Sequence, residues 1–142
     1  MNDPVRTGID TEVRYAETDA MGIVHHSVYL VWFELARTRL CQETGFRYAD
    51  IERAGHYLTV TGVDVRYRRP ARYGDSVTVT AWVDRIGSRG LRFSYEVRNA
   101  EQLLATGTTQ HVWIDNSGRP CTMPTTYRPA FERLLDRSTV DA

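Results

Sequence analysis

One long apolar helix followed by four stretches of alternating hydrophobicity is the feature that most limits what this chain can fold into. Apolar residues between Val28 and Ala36 recur at helical spacing, Ser27 is a suitable N-cap before them, and Gly45 is a suitable terminator after them. Apolar residues also lie on the opposite side of this helix, which predicts burial over most of its surface. A single sheet that must cover one such helix predicts an α+β fold, an antiparallel five-stranded sheet wrapped around one long central helix.

Alternation with a period of two predicts the strands. The first strand is expected before the helix, at residues 11–17, and residues 1–10 are expected to be a loose end. Four more strands follow the helix, separated by turns rich in glycine, asparagine and aspartate. Their predicted positions are 57–69, 77–83, 91–97 and 103–114. A helical turn is predicted at about 48–54 and a short C-terminal helix at about 125–136.

The length of 142 residues predicts one domain spanning residues 1–142, with its core at about 11–124. The 18 basic and 18 acidic side chains cancel, which argues against a general nucleic-acid binder. Every basic residue is an arginine, because the sequence contains no lysine. Schiff-base chemistry is therefore excluded, and any anion site must use arginine or backbone N–H groups.

The two cysteines, Cys41 and Cys121, lie far apart and form no CxxC pair, so neither a disulfide framework nor a zinc site is predicted. The adjacent His25 and His26 lack the spacing of a metal motif, and no metal or cofactor is expected. The first ten residues lack the pattern of a signal peptide, and no run approaches the roughly 18 apolar residues of a membrane span. The expectation is a cytoplasmic protein without a membrane span.

An acidic, glycine-containing loop with Asp19 and Gly22 precedes the long helix, and His25 and His26 connect the two. Free N–H groups and a partial positive charge at a helix N-terminus can hold a developing oxyanion. A carboxylate beside that helix end can attack a carbonyl or activate a water molecule.

Two motifs then carry a family resemblance. The motifs are Tyr15-x-x-Thr18-Asp19-x-x-Gly22-x-Val24, continued by Tyr29 and Phe33-Glu34-x-x-Arg37, and Tyr67-x-x-Pro70-Ala71-x-x-x-Asp75. Together they resemble the acyl-CoA thioesterases of the 4-hydroxybenzoyl-CoA thioesterase type, which have the hotdog fold and include the thioesterase of the Tol-Pal gene cluster. The resemblance covers about residues 12–124.

The resemblance implies hydrolysis of an acyl- or aryl-CoA thioester, or of an acyl carrier protein thioester, to the free acid and a thiol. It implies that Asp19 is the nucleophile or general base and that the backbone N–H near His26 polarises the thioester carbonyl. It also implies a homodimer whose sheets join edge to edge, pairing further into a homotetramer, with active sites at the dimer interface. The candidate catalytic residues are Asp19, His26 and Gly22, and the candidate substrate-binding residues are His25, Tyr29, Thr59 and Arg89.

Other interpretations remain open at this level. A hotdog hydratase or dehydratase would use Asp19 with His25 or His26 as an acid–base pair on an enoyl or 3-hydroxyacyl thioester. A non-catalytic acyl-CoA sensor would need an output module, for which no residues remain. Some hotdog thioesterases place their carboxylate on the central helix, where this chain has Glu34, but Glu34 is interpreted as the partner of Arg37 in an internal ion pair. The remaining arginines are divided into a phosphate-contact set (Arg85, Arg89, Arg92) and a solvated strand edge (Arg66, Arg68, Arg69, Arg72).

Overall fold

A computed structural model describes residues 3–135, and in that range the chain forms one five-stranded sheet and three α-helices around a single hydrophobic core. The strands are β1 (Thr7–Glu12), β2 (Tyr57–Tyr67), β3 (Ser76–Ile86), β4 (Gly90–Asn99) and β5 (Gln102–Ile114). The helices are α1 (Val28–Cys41), α2 (Tyr48–Arg53) and α3 (Arg128–Leu135). The spatial order is β1-β3-β4-β5-β2, and all neighbours are antiparallel. The predicted α+β architecture is therefore confirmed.

The first strand lies four residues earlier than predicted. Residues 7–12 pair with β3, so residues 7–10 are not a loose end, and the pairing stops where Glu12 meets Ser76. Residues 15–17 form a 3-10 turn instead of a strand, because the Glu17 carboxylate accepts the Arg14 N–H at 2.8 Å and the Glu17 N–H donates to the Arg14 carbonyl. The local carboxylate thus competes with the sheet for these backbone groups.

The long helix begins next to the predicted N-cap, but Ser27 makes no side-chain cap and its hydroxyl lies 2.8 Å from His25 Nδ1 instead. The core face of α1 is built on Phe33, which is fully buried and stacks on Tyr95 with ring centroids 4.2 Å apart. Gly107 on β5 lies under the same ring, and a Cβ there would come within 2.5 Å of it. A glycine at this position therefore lets the helix pack closely on the sheet.

The prediction that α1 is buried over most of its surface is wrong for the single chain. Leu30, Val31 and Leu35 are 40%, 54% and 50% exposed. The sheet covers one face of the helix, which contributes the buried residues Tyr29, Trp32, Phe33, Ala36, Leu40 and Cys41. An apolar stripe, defined here as Leu30, Val31 and Leu35, is left on the other face.

Strand β2 forms one edge of the sheet and ends at Tyr67, two residues before its predicted end. It ends there because the N–H groups of Arg68 and Arg69 both donate to the Leu104 carbonyl, at 2.8 and 3.0 Å. Two residues of one strand then oppose one residue of its neighbour, which is the pattern of a β-bulge. A further register shift occurs between Val60 and Gly62.

The C-terminal helix begins at Arg128, later than the predicted residue 125, because residues 125–127 form a turn in which the Tyr127 N–H donates to the Pro124 carbonyl. Its predicted last residue, 136, and the ends of the predicted domain 1–142 lie outside the described residues. Phe131 of α3 is fully buried and packs edge-on against Trp113. Within residues 3–135, no helix is long and apolar enough to cross a membrane.

Candidate active site

The loop that carries Asp19 is a tight, self-bonded turn. Asp19 Oδ1 accepts the Met21 N–H at 2.8 Å, the Asp19 N–H donates to the Ile23 carbonyl at 2.8 Å, and the Gly22 N–H donates to the Asp19 carbonyl at 2.9 Å. Gly22 has a positive φ of 79°, which a side chain would disfavour. The bonds hold the half-buried carboxylate in place, and its Oδ2 accepts no hydrogen bond from any described residue.

The two sequence motifs, some 40 residues apart in the chain, meet at this loop. The Val24 N–H donates to the Ala71 carbonyl at 2.8 Å, and Ile23 forms an antiparallel bridge with Arg72. The hydroxyl of Tyr67 donates to the His26 carbonyl at 2.9 Å. The turn between β2 and β3 therefore fixes both the catalytic-candidate loop and the residues that lead into α1.

A cleft of ≈ 350 Å³ opens beside Asp19. The residues that line it come from the loop, the start of α1 and the end of β2: Asp19, Met21, Ile23, Val24, His26, Tyr29, Tyr67, Arg68, Arg69 and Pro70. The volume lies at the small end of the ~300–1,000 Å³ typical of ligand pockets. Its mainly apolar wall with a few polar groups is typical of a site that binds an apolar group and orients it.

The backbone around His26 leaves one amide free. The His25 N–H donates to the Glu17 carbonyl at 2.8 Å, and the Ser27 N–H is directed at the His25 ring at 3.2 Å. Between them, the His26 N–H has no acceptor among the described residues. His26 lines the cleft that also holds Asp19, and a free N–H at the start of a helix can stabilise an oxyanion.

Two tyrosines form a wall of the cleft. Tyr29 and Tyr67 pack edge to face with ring centroids 5.1 Å apart. Burial and the neighbouring Tyr67 raise the pKa of Tyr29, and desolvation raises the pKa of Tyr67. Both phenols are therefore neutral near pH 7, so the Tyr67 hydroxyl has the proton that its hydrogen bond to the His26 carbonyl requires.

The predicted site residues divide into two groups. Asp19, His26 and Tyr29 line the cleft, and Gly22 shapes its loop without lining it. His25, Thr59 and Arg89 lie outside the lining. The His25 ring packs at a tilt against the His26 ring, with centroids 4.2 Å apart, and is hydrogen-bonded to Ser27. Thr59 is half-buried on β2, and Arg89 is exposed in the β3–β4 turn. Roles for these three in binding substrate stay predictions.

The arginines of the β3–β4 hairpin are not equivalent. Arg92 Nε donates to Asp84 Oδ1 at 2.7 Å, and Ser94 also bonds this carboxylate. Arg85 and Arg92 both line a separate pocket of ≈ 330 Å³ on the hairpin, but of these two only Arg92 has a carboxylate partner among the described residues. A phosphate contact by this set stays a prediction.

The predicted ion pair between Glu34 and Arg37 does not form among the described residues: Glu34 is exposed, and Arg37 turns toward the core. There burial raises the pKa of the Tyr95 hydroxyl above its usual value, and the charge of Arg37 lowers that pKa by a smaller amount. The Tyr95 hydroxyl lies 2.5 Å from Thr109 Oγ1. Spacing alone could not distinguish a surface pair from this inward orientation, because both place the residues one helical turn apart.

The sequence interpretation missed Arg68 and Arg69, which it assigned to a solvated strand edge. Both are exposed, but both line the Asp19 cleft. The pattern of alternating residues places consecutive side chains on opposite faces, and the bulge that breaks this alternation is not visible in the sequence. Among residues 3–135, no group of three or more side chains could hold a metal ion.

Comparisons with known proteins show the family of the chain. The family model of the thioesterase-like superfamily matches residues 13–133. A Bacillus subtilis protein provisionally named acyl-CoA thioesterase YneP is 37% identical over 123 residues, which are 86% of this chain and 87% of that protein. The crystal structure of the hypothetical protein TT1821 from Thermus thermophilus superposes with a TM-score of 0.87 at 37% identity, covering 90% of this chain and 98% of that one. The crystal structure of a DHNA-CoA thioesterase from Staphylococcus aureus superposes with a TM-score of 0.84 at 33% identity, covering 96% and 91%.

Proposed function

The chain belongs to the thioesterase-like superfamily, and we propose that it hydrolyses an acyl- or aryl-CoA thioester, or the corresponding acyl carrier protein thioester, to the free acid and a thiol. The relatives named above support this reaction, since one is named an acyl-CoA thioesterase and another a DHNA-CoA thioesterase. The observation that carries the proposal is the joint presence of the Asp19 carboxylate and the unpaired His26 N–H in one cleft.

In the proposed mechanism, the thioester carbonyl oxygen accepts a hydrogen bond from the His26 N–H, and Asp19 Oδ2 faces the carbonyl carbon. As a nucleophile, Asp19 adds to that carbon, the C–S bond breaks, the thiolate leaves, and water cleaves the resulting anhydride. As a general base, Asp19 takes a proton from water while the hydroxide adds to the carbon and the thiolate leaves. Both routes pass through an oxyanion that the His26 N–H stabilises.

The hydratase or dehydratase alternative receives less support. It requires a histidine that works with Asp19 as an acid–base pair. The His25 ring is bonded to Ser27 and lies outside the lining of the cleft, so only the ring of His26 is available for that role. The named relatives are thioesterases, which favours hydrolysis.

The test is Asp19→Asn, assayed by thiol release with a chromogenic disulfide. The amide oxygen of asparagine can still accept the Met21 N–H, so the loop keeps its shape while the reactive carboxylate is lost. We expect kcat to fall by about 100-fold or more. Glu43→Gln, which removes an exposed carboxylate remote from the cleft, is the matched control and should retain wild-type activity. Near-normal turnover in Asp19→Asn would reject the assigned role, and an acyl adduct on the intact protein would identify the nucleophilic route.

The chain also has a surface suited to self-association. The edge strand β2 exposes Val60 and Val63, and a depression of ≈ 250 Å³ joins them to Leu30 and Val31 of the apolar stripe. Open strand edges favour pairing with another strand, and exposed apolar patches favour burial between copies. These features support a homodimer in which the β2 edges of two copies join. A homotetramer and a cytoplasmic location stay predictions.

A further inference from the structure

The β-bulge at the end of β2 brings two consecutive arginine side chains to the same cleft. In a regular strand, Arg68 and Arg69 would point to opposite faces of the sheet. Here both N–H groups donate to the single carbonyl of Leu104, at 2.8 and 3.0 Å, and the alternation is broken. Pro70 follows directly and also lines the cleft. The backbone thus holds two guanidinium-bearing residues beside Asp19.

Neither guanidinium has a carboxylate partner among the described residues. Arg66, two residues earlier on the same strand, pairs with Asp64 at 3.3 Å. The charged groups that line the cleft are therefore one carboxylate, Asp19, and two arginines, Arg68 and Arg69. The balance is positive, so the cleft attracts an anion even though its catalytic candidate is negatively charged.

The charge balance matters because a carboxylate on the substrate would otherwise be repelled by Asp19. Two arginines offer several N–H donors in planar forks that match the oxygens of a carboxylate or phosphate. The source of such an anion is either the acyl group or the phosphates of CoA. The pantetheine arm separates the sulfur from the nearest phosphate by about a dozen bonds, roughly 15 Å when extended. Asp19, Arg68 and Arg69 line the same cleft of ≈ 350 Å³, so an anion held by the arginines lies beside the carbonyl that Asp19 faces, which favours the acyl group.

We propose that Arg68 and Arg69 form an anion-binding subsite that selects acyl groups carrying a carboxylate a few bonds from the thioester. The proposal rests on the proposed thioesterase function, because it assigns the acyl group to the Asp19 cleft. It adds a substrate class, the monothioesters of dicarboxylic acids. Arg68 and Arg69 act on specificity, while Asp19 and the His26 N–H act on the carbonyl.

The test compares two CoA thioethers that cannot be hydrolysed, S-pentyl-CoA and S-(4-carboxybutyl)-CoA. Both have the same chain length and the same phosphates, so their affinity ratio reports on the terminal carboxylate alone. Calorimetric titration of the wild-type protein should give at least about tenfold tighter binding of the carboxylated ligand. In the double variant Arg68→Ala/Arg69→Ala the ratio should fall below one, because the charge of Asp19 is left uncompensated. Arg66→Ala, which removes an already paired arginine, is the matched control and should keep the wild-type ratio.

Two results would overturn the proposal. An unchanged ratio in the double variant would mean that both arginines are merely solvated. An equal loss of affinity for both CoA ligands, absent with the same chains on N-acetylcysteamine, would mean that the arginines contact a phosphate. A preference that persists on N-acetylcysteamine in the wild type, and is lost in the double variant, supports the acyl carboxylate.

These titrations measure equilibrium binding, so they stand whether or not hydrolysis is detected, whereas the Asp19→Asn assay tests the proposed reaction itself. The kinetic counterpart is the ratio of kcat/KM for glutaryl-CoA to that for pentanoyl-CoA. It should fall at least about tenfold in the double variant and remain at the wild-type value in Arg66→Ala. Preferred binding of the carboxylated ligand without thioester hydrolysis would reject the proposed function and retain the anion-binding subsite. Hydrolysis without that preference would reject the subsite and retain the function.

Discussion

Replacing Tyr67 with phenylalanine tests whether the β2–β3 turn positions the His26 amide that we propose as the oxyanion donor. The Tyr67 hydroxyl donates to the His26 carbonyl at 2.9 Å, and the His26 N–H is the unpaired donor of the cleft. Phenylalanine keeps the edge-to-face contact with Tyr29, whose ring centroid lies 5.1 Å away. The variant therefore removes one hydrogen bond and little packing.

The expected magnitude follows from that single bond. A hydrogen bond between neutral groups contributes about 0.5–1.5 kcal/mol net, and Tyr67 is 51% exposed, so water can partly replace the hydroxyl. If about 1 kcal/mol of amide positioning is lost in the transition state, kcat falls about fivefold. If the bond orients the proposed oxyanion donor and does not bind the acyl chain, KM should change less than kcat.

The assay is steady-state thiol release, with unfolding in urea as the measure of stability. Tyr73→Phe is the matched control, since Tyr73 is exposed and its hydroxyl makes no hydrogen bond within the described part of the chain. We expect Tyr67→Phe to lower kcat about three- to tenfold while the free energy of unfolding changes by no more than about 1 kcal/mol. A kcat within error of the Tyr73→Phe value would refute the positioning role, and so would a loss confined to KM.

Two further predictions concern assembly and pH. Val63→Glu places a charge on the exposed edge strand and should shift the protein from dimer toward monomer in sedimentation equilibrium. The control Thr122→Glu, at an exposed position outside the apolar surface, should leave the dimer unchanged. A wild-type protein that is itself a monomer would contradict the proposed dimer. His111 is 2% exposed, and desolvation followed by the charge of Arg37 lowers its pKa from 6.5 to about 4. Between these values the unfolded chain binds more protons, so as pH falls from 6.5 to 4 His111 should remove about 3 kcal/mol of unfolding free energy. His111→Gln should abolish that part of the pH dependence in urea titrations, and a pH dependence equal to the wild type would exclude His111 as its source.

Much of the fold could be predicted because local patterns and packing agree. In β2 to β5 and in α1, the spacing of the apolar residues follows from which side of the element faces the core. A change of register would expose those apolar residues to water. The predicted first strand is wrong at residues 14–17, because Glu17 bonds both the N–H and the carbonyl of Arg14. A side chain that captures nearby backbone groups outweighs a weak preference for a strand.

The candidate site was predictable in part for a similar reason. Asp19, Gly22 and His26 lie within eight residues of each other, so their proximity follows from the chain itself. Tyr67 joins them because β2 ends beside that loop, and Arg68 and Arg69 join them because a bulge follows there. The carbonyl of Leu104, a residue distant in sequence, determines where the bulge forms. No local pattern around residues 67–69 carries that information.

The difference between the predicted and the observed burial of α1 bears on whether the protein self-associates. A helix that is apolar on nearly all sides is normally buried on nearly all sides, yet Leu30, Val31 and Leu35 are about half exposed in the single chain. The exposed Glu34 lies on this face too, but the apolar stripe continues into Val60 and Val63 on the free edge of β2. The sequence pattern is what a chain needs if this face is covered by a second copy, because the pattern reflects the final environment of each residue. If the protein is a monomer in solution, that reasoning fails and the apolar stripe requires a different partner.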